Sequence, residues 1–270
     1  MLAETRPDPW IIRPRPNPRA RLRLFCFPYA GGGASTYRGW PAYLPADIEV
    51  VAVQFPGREE RVLEPAFSSA SGLCQQLAAV LTPYLDRPFA LFGHCMGGLV
   101  AFELTRLFRT IGAPSPTHLF ISGHCGPRKV YCFPPMAGMS DAELVALIRR
   151  LGGTPDEVLA DGEVMPLLVP LLRCDLTICE SYRYVPAEPL ACPISVFGGI
   201  LDKVVRRTDL VAWGVETSGG FQARMFPGGH FFFDDLKPRL LQAITDDLAA
   251  HQAPAPAVAS TSTYHGGALS

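Results

Sequence analysis

The chain has 270 residues, 48% of them hydrophobic and 10% aromatic, with a formal net charge of −1. That length and composition suit one large globular domain carrying an insertion, or two small ones. The near-zero charge argues against a general nucleic-acid binder, since nothing supplies the counterion release that dominates such binding. No run of about 18 apolar residues suggests a membrane span.

Residues 1–19 read as a flexible, Arg- and Pro-rich segment, with Trp10-Ile11-Ile12 available to pack on the body. They lack the apolar stretch and small-residue cleavage site of a secretory signal, so a cytoplasmic protein is expected. Short apolar runs follow: RLRLFCF (21–27), IEVVAVQ (48–54), FALFG (89–93), THLFISG (117–123), PISVFGG (193–199) and FQARMFPG (221–228). Rich in Val, Ile and Phe and bounded by Gly or Pro, they predict strands buried on both faces. Residues 71–85 and 98–111 show helical spacing between them. This strand–helix alternation predicts an α/β fold with a mostly parallel sheet flanked by helices.

The alternation lapses between about 130 and 190. Ser140-Asp-Ala-Glu143 predicts a capping box opening one helix, and Thr154-Pro-Asp-Glu157 a second start with Pro155 at the first helical position. EVMPLLVPLLRCDLTICESY then continues as a helical but proline-broken pattern. A helical lid inserted into a domain spanning 20–251 is the expectation. Residues 252–270, rich in Pro, Ala and Ser, predict a disordered tail.

The eight cysteines (Cys26, Cys74, Cys95, Cys125, Cys132, Cys174, Cys179 and Cys192) include no C-x-x-C pair and lie mostly in apolar runs. Buried, reduced thiols are therefore expected, without zinc. Cys95 is the exception. It sits in FGHCMGG (92–98), where a strand ends and a helical pattern begins almost at once, with Gly93 two residues before it and Gly97 two after. A nucleophile elbow needs this spacing, because a strained turn exposes the nucleophile while the glycines let strand and helix approach closely. The nucleophile then lies at a helix N-terminus, which favours a thiolate. The triplet GHC recurs in SGHCGP (122–127), but the second spaced glycine is missing and Pro127, Pro134 and Pro135 prevent a long helix. Cys125 therefore reads as a strand-end loop residue.

A thiol at such a turn needs a base and a group to orient it. His94, adjacent to the nucleophile, should point away and pack; His118 opens a strand; His251 and His265 fall at or in the tail. His230, in FPGGHFFF after the last expected strand, stands where an α/β-hydrolase requires its base. Asp202 falls just past the strand PISVF, whereas Asp209 lies in the next helix and Asp234 and Asp235 follow the histidine. The order Cys95, Asp202, His230 fits the nucleophile–acid–base template. Oxyanion donors are expected from the backbone N–H of Met96 and, across the glycine-rich turn FPYAGGGAS (27–35), from that of Ala30. No G-K-[ST] follows that turn, so a phosphate loop is a poor reading.

With these residues assembled, the chain resembles the type II thioesterases of polyketide and non-ribosomal peptide synthase systems, from about Trp10 to Leu248. The resemblance rests on LFCFPYAGGGASTYRGW, VQFPGREER, PFALFGHCMGGLVAFEL, LGGTPDEVL, FGGILDKVV and FPGGHFFF in this order. It implies an α/β-hydrolase fold with a helical lid over an acyl channel, and hydrolysis of acyl groups from the phosphopantetheine arm of carrier proteins. It implies the triad Cys95, Asp202 and His230 and the oxyanion donors Ala30 and Met96. The expected partner is an acyl or peptidyl carrier protein of a synthase, with no cofactor of the enzyme's own and a monomer favoured.

The departure is the nucleophile, serine in the family motif and Cys95 here. Three readings stay open: a hydrolase using a thiolate, an acyltransferase or cyclase passing the acyl group to an amine or other acceptor, and a non-catalytic carrier-binding module. The resemblance gives Arg58 and Arg61 no chemical role, and a structural loop is expected there. Leu167, Leu168, Leu171 and Leu172 are candidates for an acyl channel, though core packing is the expectation. Arg128-Lys129 and Arg206-Arg207 are candidates to meet an acidic carrier, though solvated charge is the simpler reading.

Overall fold

A computed structural model describes residues 8–129, 133–136 and 138–250. Its seven strands are β1 (Ile11–Ile12), β2 (Leu22–Phe27), β3 (Ile48–Val53), β4 (Phe89–His94), β5 (His118–Ser122), β6 (Ile194–Gly199) and β7 (Phe221–Phe226). They form one sheet in the order β1-β3-β2-β4-β5-β6-β7. Every pairing is parallel except the antiparallel pairing of β1 with β3.

The helices are α1 (Ala70–Leu81), α2 (Met96–Ile111), α3 (Asp141–Leu151), α4 (Asp156–Leu159), α5 (Met165–Glu180), α6 (Arg207–Val211), α7 (Phe232–Asp235) and α8 (Lys237–Ala250). Strand side chains alternate between two helical layers. Phe25 and Phe27 of β2 join Leu73 and Leu77 of α1 and Leu99 of α2, while Leu22, Leu24 and Cys26 face Leu240, Leu241 and Ile244 of α8. Each such side chain, taken fully out of water, contributes roughly 1.5–3 kcal/mol. This double burial is why the strands read as continuous apolar runs.

Strand order reverses between β2 and β4, and the crevice at the carboxyl ends of such a switch point is where α/β sheets place ligands. The loops after β2 and β4 carry Ala30 and Cys95 to this crevice.

The N-terminal expectation needs correction. From Asp8 the chain is tied down: β1 adds an edge strand, and Trp10 is buried beneath the Arg61 guanidinium, 4.2 Å from its ring centroid. Arg13 pairs with the buried Glu49 at 2.8 Å. Two residues are too few to show a strand period, so only the packing of Trp10 and its neighbours was legible. Residues 1–7 and the expected tail at 252–270, with His251, His265 and also Cys132, lie outside the described residues.

Between β5 and β6, α3, α4 and α5 form the lid around their own core of Leu144, Leu147, Ile148, Leu159, Val169, Leu172 and Leu176. Ser140 and Glu143 make the expected capping box, and Pro155 occupies the cap position just before α4. The expected proline break is absent: α5 runs through Pro170, forgoing one backbone hydrogen bond while Val169, Leu172 and Leu176 hold it to the lid core. Among the described residues no helix is long and apolar enough to cross a membrane.

Candidate active site

Cys95 joins β4 to α2 with φ 52° and ψ −121°, a conformation that costs a non-glycine residue about 1–3 kcal/mol. The surroundings impose it. A Cβ on Gly93 would lie 2.0 Å from the Gly97 carbonyl oxygen, and one on Gly97 would lie 2.3 Å from that of Phe27. The glycines let α2 start directly against the strand ends, and the Cys95 N–H donates to the Ser122 carbonyl at 2.7 Å. The thiol therefore sits buried at the N-terminus of a 16-residue helix.

Asp202 and His230 arrive on the loops after β6 and β7. Gly199 permits this: a Cβ there would lie 2.0 Å from the Gly229 carbonyl oxygen. The Leu201 N–H also donates to the Gly228 carbonyl at 2.8 Å, stitching the loops together. His230 Nδ1 donates to Asp202 Oδ2 at 2.8 Å, while Asp202 Oδ1 accepts the N–H groups of Val204 and Val205 at 2.8 and 3.1 Å.

Burial disfavours the Asp202 carboxylate, but the hydrogen bond and charge of His230 and the two N–H donors outweigh it and hold the carboxyl below its ordinary range. Burial likewise disfavours the imidazolium, yet the bonds and charges of Asp202 and Cys95 raise His230 to about 9. Among the described residues His230 Nε2 has no partner that meets strict hydrogen-bond geometry, so its bond to Cys95 is a loose one. Loose contacts of this kind are usual in a site without substrate.

Cys95, His230 and Ala30 line one cavity of about 20 Å³ with Phe133, Leu151, Leu176 and Phe231. That is room for about one water. Cys125 does not line it; its neighbour His124 is pushed down to about 4 by burial and accepts a Trp213 indole bond on its carbonyl. His94 packs as expected, its Nδ1 on Ser122 Oγ at 2.9 Å and its ring centroid 4.9 Å from that of His230. Burial, then the charges of His230 and His124, push its pKa well down. His118 bonds Ser195, and Ser195 bonds Asp247 of α8, a buried network fastening helix to sheet.

Met96 opens α2, so its N–H has no partner within the helix. In the glycine-rich loop the neighbouring donors are engaged: Gly31 N–H by Asp175 Oδ2 at 2.8 Å, Gly32 N–H by the Tyr29 carbonyl at 2.9 Å, and Ala34 N–H by Gln54 at 2.8 Å.

Two larger cavities flank the small one. One of about 400 Å³ lies between the glycine-rich loop and lid residues that include Val158, Leu167, Leu168 and Leu171. The other, about 690 Å³, lies on the Asp202–His230 side and includes Arg150, Leu201 and Lys203. The four leucines thus divide: Leu172 belongs to the lid core, and the other three line the groove. Of the two candidate basic pairs, Arg128 and Lys129 are neutralised by Glu216 and Asp209, each at 2.6 Å, and Arg206 and Arg207 are exposed.

Sequence reasoning missed Asp175. Its signal was a single acid inside the apolar run PLLVPLLRCDLTIC, and its partner is Arg58, bound bidentately at 2.8 and 2.9 Å with both side chains buried.

The parallel sheet, the elbow after β4 and the lid between β5 and β6 define an α/β-hydrolase. A thioesterase-domain family profile matches residues 22–248, and the chain belongs to that family of hydrolases acting on thioester bonds. It is 40% identical over 248 residues to linear gramicidin dehydrogenase LgrE of Brevibacillus parabrevis, covering 91% of this chain and 94% of that protein. It is 34% identical to thioesterase PikA5 of Streptomyces venezuelae, covering 88% and 85%. Among solved structures it is similar to the type II thioesterase BorB from the borrelidin biosynthetic cluster, with a TM-score of 0.82, 38% identity, and coverage of 90% and 99%.

Proposed function

We propose that this chain is a type II thioesterase of a polyketide or non-ribosomal peptide system, removing acyl groups from carrier-protein phosphopantetheine through a covalent intermediate on Cys95. The reading is carried by one observation: a strained cysteine at a helix N-terminus shares a small cavity with a histidine bonded to a buried aspartate. The biosynthetic setting is supported by the similarity to BorB, a type II thioesterase from the borrelidin biosynthetic cluster. The dehydrogenase name of the gramicidin relative finds no counterpart in this sequence, which contains no G-x-G-x-x-G spacing.

In this mechanism the Cys95 thiolate attacks the thioester carbonyl, and the oxyanion is met by the N–H groups of Met96 and Ala30. Collapse breaks the bond to the phosphopantetheine sulfur, which leaves with the proton from His230. Neutral His230 then takes a proton from water as the water attacks the Cys95 thioester. The acid departs, and proton and thiolate are restored to the pair. Asp202 keeps Nδ1 protonated, so that Nε2 is the nitrogen that exchanges protons.

Release of acyl groups from an acyl carrier protein tests the proposal. Cys95→Ala should abolish turnover while Cys125→Ala leaves it largely intact. A damaging Cys125→Ala with an active Cys95→Ala would overturn it. An acyl adduct stable in water but discharged by an added amine would make the protein a transferase. A protein that binds the carrier but forms neither adduct nor product would be a binding module.

A further inference from the structure

Tyr29, Ala30, Gly31 and Gly32 form a turn closed by the Gly32 N–H on the Tyr29 carbonyl at 2.9 Å, with Gly31 at φ +79°. A positive φ at the third position belongs to a type II turn. Types I and II differ by a flip of the central peptide, here the one carrying the Gly31 N–H. That flip leaves the preceding Tyr29–Ala30 peptide in place; what the side chains fix is where the turn sits, because Asp175 Oδ2 accepts the Gly31 N–H at 2.8 Å and Arg58 donates both to Asp175 and to the Gly32 carbonyl at 3.2 Å. The Tyr29 carbonyl shares its rigid peptide plane with the Ala30 N–H.

We propose that Asp175, braced by Arg58, is a positioning residue that holds the Ala30 N–H of the oxyanion hole in place by anchoring this turn to helix α5. The proposal rests on the acyl-transfer reading above. It gives the PGREER motif a function in Arg58, through a carboxylate 117 residues away in the chain. Because Asp175 belongs to lid helix α5, a seated lid and a set oxyanion hole are one arrangement: lifting α5 removes the acceptor that holds Gly31.

Two reactions of the same cysteine separate this role from a merely structural one. Acylation by a thioester passes through an oxyanion; alkylation by iodoacetamide does not. In Asp175→Asn, acylation of Cys95 by an acyl N-acetylcysteamine thioester should slow by at least about tenfold, toward the 10²–10³ lost with an oxyanion donor. Alkylation of Cys95 should be no slower than in the wild type.

The double variant Arg58→Met/Asp175→Leu leaves no lone buried charge and should fold, as judged by thermal unfolding, while showing the same split. Wild-type acylation in either folded variant, or equal slowing of both reactions, would refute the positioning role. Wild-type protein that is alkylated but never acylated would instead remove the acyl-transfer reading, and the proposal with it.

Discussion

His230 and Asp202 stand at the carboxyl ends of the adjacent parallel strands β7 and β6, joined by a 2.8 Å bond from Nδ1 to Oδ2. Because an ionised carboxylate only accepts, this bond fixes the tautomer and, in the proposed mechanism, leaves Nε2 for the chemistry. Asp202→Asn should therefore lower turnover by about 10²–10⁴ without unfolding the protein, as measured by steady-state release from an acylated carrier. Asp209→Asn, whose carboxylate pairs with Lys129 on the surface, should change turnover little.

The titration of His230 provides a second test. Its pKa is raised from 6.5 to about 9 by Asp202 and Cys95 against the effect of burial. NMR titration should follow the imidazolium into that range in the wild type and find it lower in Cys95→Ala. A raised histidine contributes stability that is fully present below about 6.5 and lost as pH rises through about 9. The lowered carboxyl of Asp202 contributes above its ordinary value of 3.8, and that part is lost as pH falls through the folded value. The stability gap between wild type and Asp202→Asn should be widest between these limits and narrow on either side, read by denaturant unfolding across pH.

Close backbone approach at the elbow predicts sharp sensitivity to one methyl group. Gly97→Ala would bring a Cβ to 2.3 Å from the Phe27 carbonyl oxygen, and should destabilise the fold by more than about 2 kcal/mol. Gly39→Ala, where a Cβ meets nothing within 4 Å, should be nearly neutral in the same thermal denaturation.

Replacing sulfur by oxygen should keep the site working. Cys95→Ser retains the helix N-terminus and the His230–Asp202 pair, so hydrolysis should persist while iodoacetamide ceases to inhibit. Loss of all turnover in Cys95→Ser would show that the machinery depends on a preformed thiolate.

Much of this arrangement was legible because parallel strands buried on both faces announce themselves as apolar runs, and because the elbow concentrates its requirements in five residues, Gly93 to Gly97. Asp202 and His230 followed from chain order once Cys95 was chosen. What escaped depends on distant side chains. Nothing local marks Asp175 as the partner of Arg58, or Arg61 as the cover over Trp10. β1 escaped because Ile11 and Ile12 form a strand only by pairing with Val53 and Ala52. The proline pattern misled because packing against the lid core outweighs the one bond lost at Pro170.

The most direct test of the account is rapid-quench mass spectrometry of the wild-type protein during reaction with an acylated carrier. Peptide mapping should find the acyl group as a transient thioester on Cys95, forming and decaying at rates compatible with turnover. Turnover with the acyl group on Cys125, or with no acyl-enzyme on Cys95 in Asp202→Asn or wild type, would contradict it.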